Sequence, residues 1–311
     1  MDRCRFNVRA SAAGVFWQQV HLPRIVVEER CNVLWGPHGT LPVRLQPAGV
    51  VTVHDLTSIT RPASHRLRTV LSFNTFIGRS LAQAGRIAAV SRKTADELIR
   101  GFAIDAGKIV VVPNGVDEFF SPAAGPDEEM LPSGLSSRDY ILFVGTIEPR
   151  KGVDHLLAAW ESLPEPRPKL VLCGERGWGR VAKLESAIAN EQVVMLSYVD
   201  RVTLRALYRH ALFFVYPSLE EGFGIPPLEA MACGSPVIAS RTGAIAEYLD
   251  GAGIVIEPGD LTGLSEALRI LRSSSSLREE LSAAGVERAK EWRWDRSASL
   301  MTEMFREAAE G

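Results

Sequence analysis

Ala211-Leu212-Phe213-Phe214-Val215-Tyr216 runs into Pro217-Ser218-Leu219-Glu220-Glu221-Gly222-Phe223-Gly224-Ile225-Pro226-Pro227-Leu228-Glu229-Ala230-Met231-Ala232-Cys233-Gly234. The first six residues are β-prone and apolar on both faces, the pattern of a strand buried in a parallel sheet. Pro217 ends that strand. Gly222 and Gly224 let the backbone approach a ligand closely, and Pro226 and Pro227 fit only the first turn of a helix that stops at Gly234. A loop with free N–H groups thus meets a helix N-terminus, where orphan amides and the helix dipole both favour negative charge.

Two carboxylates, Glu221 and Glu229, bracket the turn. On one continuous helix they would lie about 12 Å apart along the axis. That exceeds the roughly 5–9.5 Å of a glycosidase carboxylate pair, so recognition of hydroxyls is the reading preferred to an acid/base dyad. Taken with Gly222-Phe223-Gly224, the two prolines and the Glu229-Ala230-Met231-Ala232-Cys233-Gly234 tail, the segment resembles the E-x7-E element of family 4 retaining glycosyltransferases. That resemblance implies two Rossmann-like domains facing across a cleft, the GT-B arrangement. It also implies that Glu229 holds a ribose, while Glu221 and the backbone of Gly222, Phe223, Gly224 and Ile225 hold a sugar.

Strands alternate with helices along the rest of the chain, the pattern of an α/β protein with doubly wound parallel sheets. Expected strands cover residues 5–9, 32–35, 49–54, 87–91 and 108–112, and then 140–144, 169–173, 193–196, 211–216, 236–239 and 253–256. A helix over residues 15–29 carries a kink or break at Pro23. A further helix occupies much of residues 61–85, Ser91 reads as the N-cap of the next, and two helices follow residue 256. Residues 1–120 form the acceptor-side domain, residues 121–137 a linker rich in Pro, Gly, Ser and acids, and residues 138–311 the donor-binding domain.

The second domain opens with Phe143-Val144-Gly145-Thr146-Ile147-Glu148-Pro149-Arg150-Lys151-Gly152. A strand ending in glycine, followed by adjacent Arg and Lys, places two cations at the sheet's binding edge. The segment is similar to the family's diphosphate-binding element; there Gly145 and Thr146 would line the donor, and Arg150 and Lys151 would neutralise the leaving nucleoside diphosphate. Many members carry Arg where Thr146 stands, so the cationic work falls on Arg150 and Lys151. His54 ends a strand of the first domain, and His54-Asp55-Leu56 is similar to the acceptor-domain motif whose His lies near the donor sugar. As a bare His it would be a structural hydrogen-bonder. Asn114-Gly115-Val116-Asp117 also matches the family and shapes the exit from the first domain.

Composition agrees with a soluble globular protein: 46% hydrophobic residues, 23% charged and a formal net charge of -2, which gives no field for nucleic acid. The four cysteines show no metal-ligand spacing, and Cys173 and Cys233 sit in apolar segments as core residues of a chain from a reducing cytoplasm. No G-x-G-x-x-G after a strand, no P-loop and no D-x-D pair occurs. The resemblance therefore implies catalysis without a metal or other cofactor. It further implies hexose transfer with retention, mannose from GDP-mannose being the expected donor chemistry, to a glycan or lipid-linked acceptor in polysaccharide assembly. The leaving phosphate would help to take the acceptor proton.

Family members begin with a further strand, glycine-containing loop, helix and strand that are not found here, so the first domain is expected to be incomplete. The competing expectation is a non-catalytic nucleotide-sugar-binding or assembly subunit. Between Leu56 and Ala95 lie Arg61, Arg66, Arg68, Arg79, Arg86, Arg92 and Lys93 with no acidic residue. Such a run suits peripheral contact with anionic lipid; the alternative is a helix face lying beside acidic neighbours.

Overall fold

The computed structural model describes residues 14–45, 48–64, 67–123 and 131–310. The strand expected over residues 5–9 and part of the expected linker lie outside them. Among the described residues the first domain holds β1 (Val33–Gly36), β2 (Ala48–Val53), β3 (Ala84–Ala89) and β4 (Ile109–Val111), all parallel and hydrogen-bonded in that order. Short runs of Val, Ile and Ala make these strands because both faces are covered. Val51 and Val53 of β2 point into a cluster with Ile77, Leu81 and Leu98, whereas Val50 points the other way, into a cluster with Met304 and Ala308.

The first domain's helices are α1 (Gly14–Phe16), α2 (Leu22–Glu28), α3 (Thr57–Thr60), α4 (Leu67–Gln83) and α5 (Arg92–Phe102). The irregularity expected at Pro23 takes the form of a π-helical turn, Trp17–His21, that joins α1 to α2. Pro23 then falls in the first turn of α2, where its missing N–H costs nothing. Ser91 caps α5 as its sequence foretells, its Oγ accepting the Thr94 N–H at 3.1 Å.

The second domain contains β5 (Tyr140–Val144), α6 (Val153–Glu161), β6 (Lys169–Cys173), α7 (Leu184–Ile188), β7 (Val193–Leu196), α8 (Arg201–His210), β8 (Phe213–Tyr216) and α9 (Ile225–Ala232). It continues through β9 (Val237–Ser240), α10 (Ile245–Leu249), β10 (Ile254–Ile256), α11 (Leu261–Ser273) and α12 (Ser275–Ala289). Its six parallel strands lie in the order β10-β9-β8-β5-β6-β7. The chain winds outward from β5 through β6 to β7, then crosses back to β8, which pairs with the other edge of β5. The strand order therefore reverses between β5 and β8, the place where doubly wound sheets open a ligand crevice.

Three long helices follow β10, not the two expected. The last, α13 (Trp294–Glu310), leaves the second domain and packs Met304 and Ala308 on the first sheet. Its apolar face reads from the sequence, but the sheet that it covers lies some 200 residues upstream. Two chain crossings thus join the domains, and they touch. Val116 N–H donates to the Trp292 carbonyl at 2.9 Å, and a Cβ on Gly115 would fall 2.2 Å from the Trp294 nitrogen. Asn114-Gly115-Val116-Asp117 accordingly lies at the exit from the first domain.

Candidate active site

At the carboxyl ends of β5 and β8 the two motifs meet. Gly145 leaves β5 with φ +150°, and Gly152 turns the chain at φ +69° where a Cβ would collide with the Pro217 carbonyl oxygen at 2.0 Å. Only glycine allows that approach. It seats Arg150 and Lys151 against the loop that follows β8, and both side chains are buried at their heads, 13% and 11% exposed. They are not surface charges.

Glu221 sits at the centre of this arrangement. Its Oε1 accepts from Lys151 Nζ at 2.6 Å, Ser218 Oγ at 2.7 Å and Tyr216 Oη at 3.0 Å, with Arg150 Nη1 at 3.6 Å. Its main-chain N–H donates to Thr242 Oγ1 at 2.9 Å. Burial, followed by the adjacent carboxylate, raises the Tyr216 phenol well above its usual range, so it stays a donor. No described residue bonds Glu221 Oε2. Arg150 also donates to Glu148 Oε1 at 2.8 Å and to the Glu220 carbonyl at 3.0 Å, yet its buried Nε has no partner. Burial lowers the Arg150 pKa, but Glu221, Glu148 and Asp55 outweigh it and hold the guanidinium charged.

The glycine loop presents main chain, not side chains. Phe223 is buried against Tyr248 and Trp292, with ring centroids 5.7 and 5.9 Å away, and Ile225 packs on the core at the start of α9. Gly224 adopts φ +86° and its carbonyl accepts the Tyr248 hydroxyl at 2.6 Å. Among the described residues, the N–H groups of Gly222, Phe223 and Gly224 find no acceptor. Three free donors and a helix N-terminus form an anion-ready rim. Thr146 is exposed, its methyl group against Gly177.

Glu229 belongs to a separate set of partners. It lies in the second turn of α9 and accepts the Tyr208 hydroxyl at 3.0 Å through Oε2. Burial raises its pKa to about 7, against the opposing pull of the Tyr208 bond and Arg201. His54 follows β2, its Nε2 2.9 Å from the Pro37 carbonyl and its ring beside His38. Desolvation in that setting lowers its pKa, opposed by the Pro37 bond, so the ring is neutral near pH 7. Its main chain touches the second domain: a Cβ on Gly222 would lie 1.6 Å from the His54 carbonyl oxygen.

The sequence brings Arg150, Lys151 and Glu221 forward, and the structure joins them in one network. Tyr216 and Ser218, which hold Glu221, flank the motif and are legible as residues at the strand's mouth. Thr242 and Tyr208 come from other elements and carry no local signal. The basic run is mostly paired: Arg61 with Glu220, Arg86 with Glu307, Arg92 with Glu247 and Lys93 with Glu97. Three of these carboxylates, Glu220, Glu307 and Glu247, arrive from elements distant in sequence, and Glu97 from the same helix as Lys93.

The sequence profile described as "Glycosyl transferases group 1" matches residues 128–288, just over half of the chain. The chain is a group 1 glycosyl transferase. The profile described as "Glycosyltransferase Family 4" covers residues 3–118 of the same transferase. It is 35% identical over 270 residues to O-antigen chain mannosyltransferase B of Escherichia coli, spanning 84% of this chain and 70% of that protein. It is 30% identical over 243 residues to a D-inositol 3-phosphate glycosyltransferase of Xylanimonas cellulosilytica, spanning 73% of this chain and 58% of that one. The crystal structure of Anabaena HepE in complex with UDP and glucose superposes with a TM-score of 0.75 at 19% identity, over 94% of this chain and 83% of that one. The transferase therefore has the two-domain GT-B fold. Among its described residues, no helix is long and apolar enough to cross a membrane.

Proposed function

We propose that this glycosyl transferase moves a hexose from a nucleotide-diphosphate sugar to a glycan or lipid-linked acceptor, with retention at the anomeric carbon. The observation that carries the reading is the network at the strand-order reversal. Two buried cations converge on one carboxylate oxygen and leave Glu221 Oε2 and three loop N–H groups for a ligand. A diphosphate fits the cations and the loop amides, and a sugar hydroxyl fits Glu221 Oε2. Glu229, half shielded one helical turn further on, takes the ribose, and His54 faces the sugar from the first domain.

In this reaction the bond from the anomeric carbon to the diphosphate oxygen breaks while the acceptor oxygen bonds on the same face. The acceptor proton passes to the departing phosphate. Arg150 and Lys151 stabilise the charge that develops there, a contribution of about 10²–10³ in rate for a preorganised donor. They supply that charge stabilisation without a metal or other cofactor. Mannose from GDP-mannose is the preferred donor, supported by the relationship to an E. coli mannosyltransferase. Work on the cytoplasmic side of a membrane fits a lipid-linked acceptor, although pairing of four cations in the basic run weakens the case for direct lipid contact.

Calorimetry with GDP and UDP beside turnover of GDP-mannose and UDP-glucose tests the reading and separates it from a non-catalytic binding subunit. The transferase should bind one nucleoside diphosphate and turn over the matching donor. Glu221→Gln should slow turnover while leaving free-nucleotide binding unchanged or tighter, since it removes the anion that competes for Lys151. Binding without turnover in the unmodified chain would favour the subunit.

A further inference from the structure

The residue before Glu221 does something different. Glu220 is on the second domain, but its carboxylate bonds the first: Thr60 Oγ1 donates to Oε1 at 2.6 Å, Arg61 Nε lies 2.7 Å from Oε2, and Lys93 Nζ lies 4.0 Å away. The Glu220 side chain is only 11% exposed, although Arg61 is 48% exposed, so the carboxylate end of the pair is shielded more than in a surface bridge. Its carbonyl meanwhile accepts from Arg150 Nη1 and Ser218 Oγ. One residue therefore joins the first domain by its side chain and the candidate site by its main chain.

The two closest partners, Thr60 and Arg61, are delivered by a single short element. Asp55 accepts from both the N–H and the hydroxyl of Thr57, which fixes the start of α3, and the end of α3 presents Thr60 and Arg61. His54, just before it, abuts Gly222. Residues 54–61 of the first domain thus grip residues 220–222 of the second at both ends. The chain crossings meet at Val116 and Trp292, and Trp292 packs on Phe223 behind the same loop.

We propose that Glu220 is an interdomain latch and a positioning residue for sugar transfer. Its charged contact with Thr60 and Arg61 holds the cleft closed, and through the Glu220 main chain it holds Arg150 and Glu221 at their working separation. The catalytic half of this statement rests on the function proposed above; the closure half does not. When the cleft opens to exchange nucleotide, this contact must break, and Glu220 then faces water.

The test uses the full chain and four variants: Glu220→Gln, Arg61→Ala, their double, and Arg61→Lys. Small-angle X-ray scattering reads closure, and donor turnover at saturating concentration reads positioning. Glu220→Gln and Arg61→Ala should each enlarge the radius of gyration and lower kcat by about ten- to a hundredfold, the scale for a misplaced reacting group. Nucleoside diphosphate affinity should fall by less than kcat does, because Arg150 keeps its bond to Glu148 when the Glu220 contact is lost. The double variant should be no worse than either single, and Arg61→Lys should recover closure. Unchanged scattering in both single variants overturns the latch whatever the activity shows. Open scattering with unchanged kcat keeps the latch and overturns its positioning role. Arg61→Ala alters an exposed side chain and stays folded, so the test survives a folding defect in Glu220→Gln.

Discussion

Glu221 and Glu229 differ in the partners that hold them, and their chemistry follows. Glu221 is fixed by cations and hydroxyls at one oxygen, whereas Glu229 has a single phenolic donor and a pKa raised by burial to about 7. Replacing Glu229 by Gln keeps its size and removes its charge. Nucleoside diphosphate binding should then weaken by about 1.5–3 kcal/mol at most, read by calorimetry. Because Glu229 ionises near neutrality, binding should also strengthen as pH rises from 6 to 8, when the carboxylate becomes the better acceptor. Glu229→Gln cancels its share of that dependence, while titration of the phosphate itself is common to both proteins. Stability runs the opposite way. The folded form keeps its proton up to about 7 and the unfolded chain releases it near 4.5, so the contribution is full below 4.5 and is lost as pH rises through 7. Urea midpoints across that window should fall less in Glu229→Gln than in the unmodified chain.

At the level of elements, two glycines predict two different failures. Gly152→Ala puts a Cβ 2.0 Å from the Pro217 carbonyl at a φ of +69°, within the second domain. It should cost roughly 1–3 kcal/mol or more in urea unfolding and disturb Arg150 and Lys151 together. Gly222→Ala instead places its Cβ against the His54 carbonyl, across the cleft. It should leave the unfolding midpoint of the second domain in place, yet expand the molecule in scattering and suppress transfer. The elements themselves were legible because a buried parallel strand is a short apolar run and a capped helix announces its first turn, as at Ser91 and at Gly224 to Pro227. What escaped was pairing at long range. Nothing around Glu220 foretells Thr60, 160 residues earlier, and nothing around Arg86 foretells Glu307. The acidic-neighbour alternative for the basic run was legible as a possibility, but not which carboxylates would supply it: Glu220, Glu307 and Glu247 come from other elements.

Across the whole molecule, Arg150, Lys151, Glu221 and Glu229 come from one domain, the His54 main chain abuts their loop from the other, and α13 crosses back onto the first sheet. The E-x7-E stretch and the basic pair made the network of Arg150, Lys151 and Glu221 readable from the sequence. The destination of α13 and the grip of residues 54–61 on the motif loop were not, since both are facts of docking rather than of local pattern. The central claim is retaining transfer within this cleft. Proton NMR on the first sugar product formed from an α-linked nucleotide sugar, recorded before mutarotation, tests it most directly. The account predicts the α-anomer, lost when Glu221 is replaced by Gln; a β-anomer, or the same rate in Glu221→Gln, would contradict it.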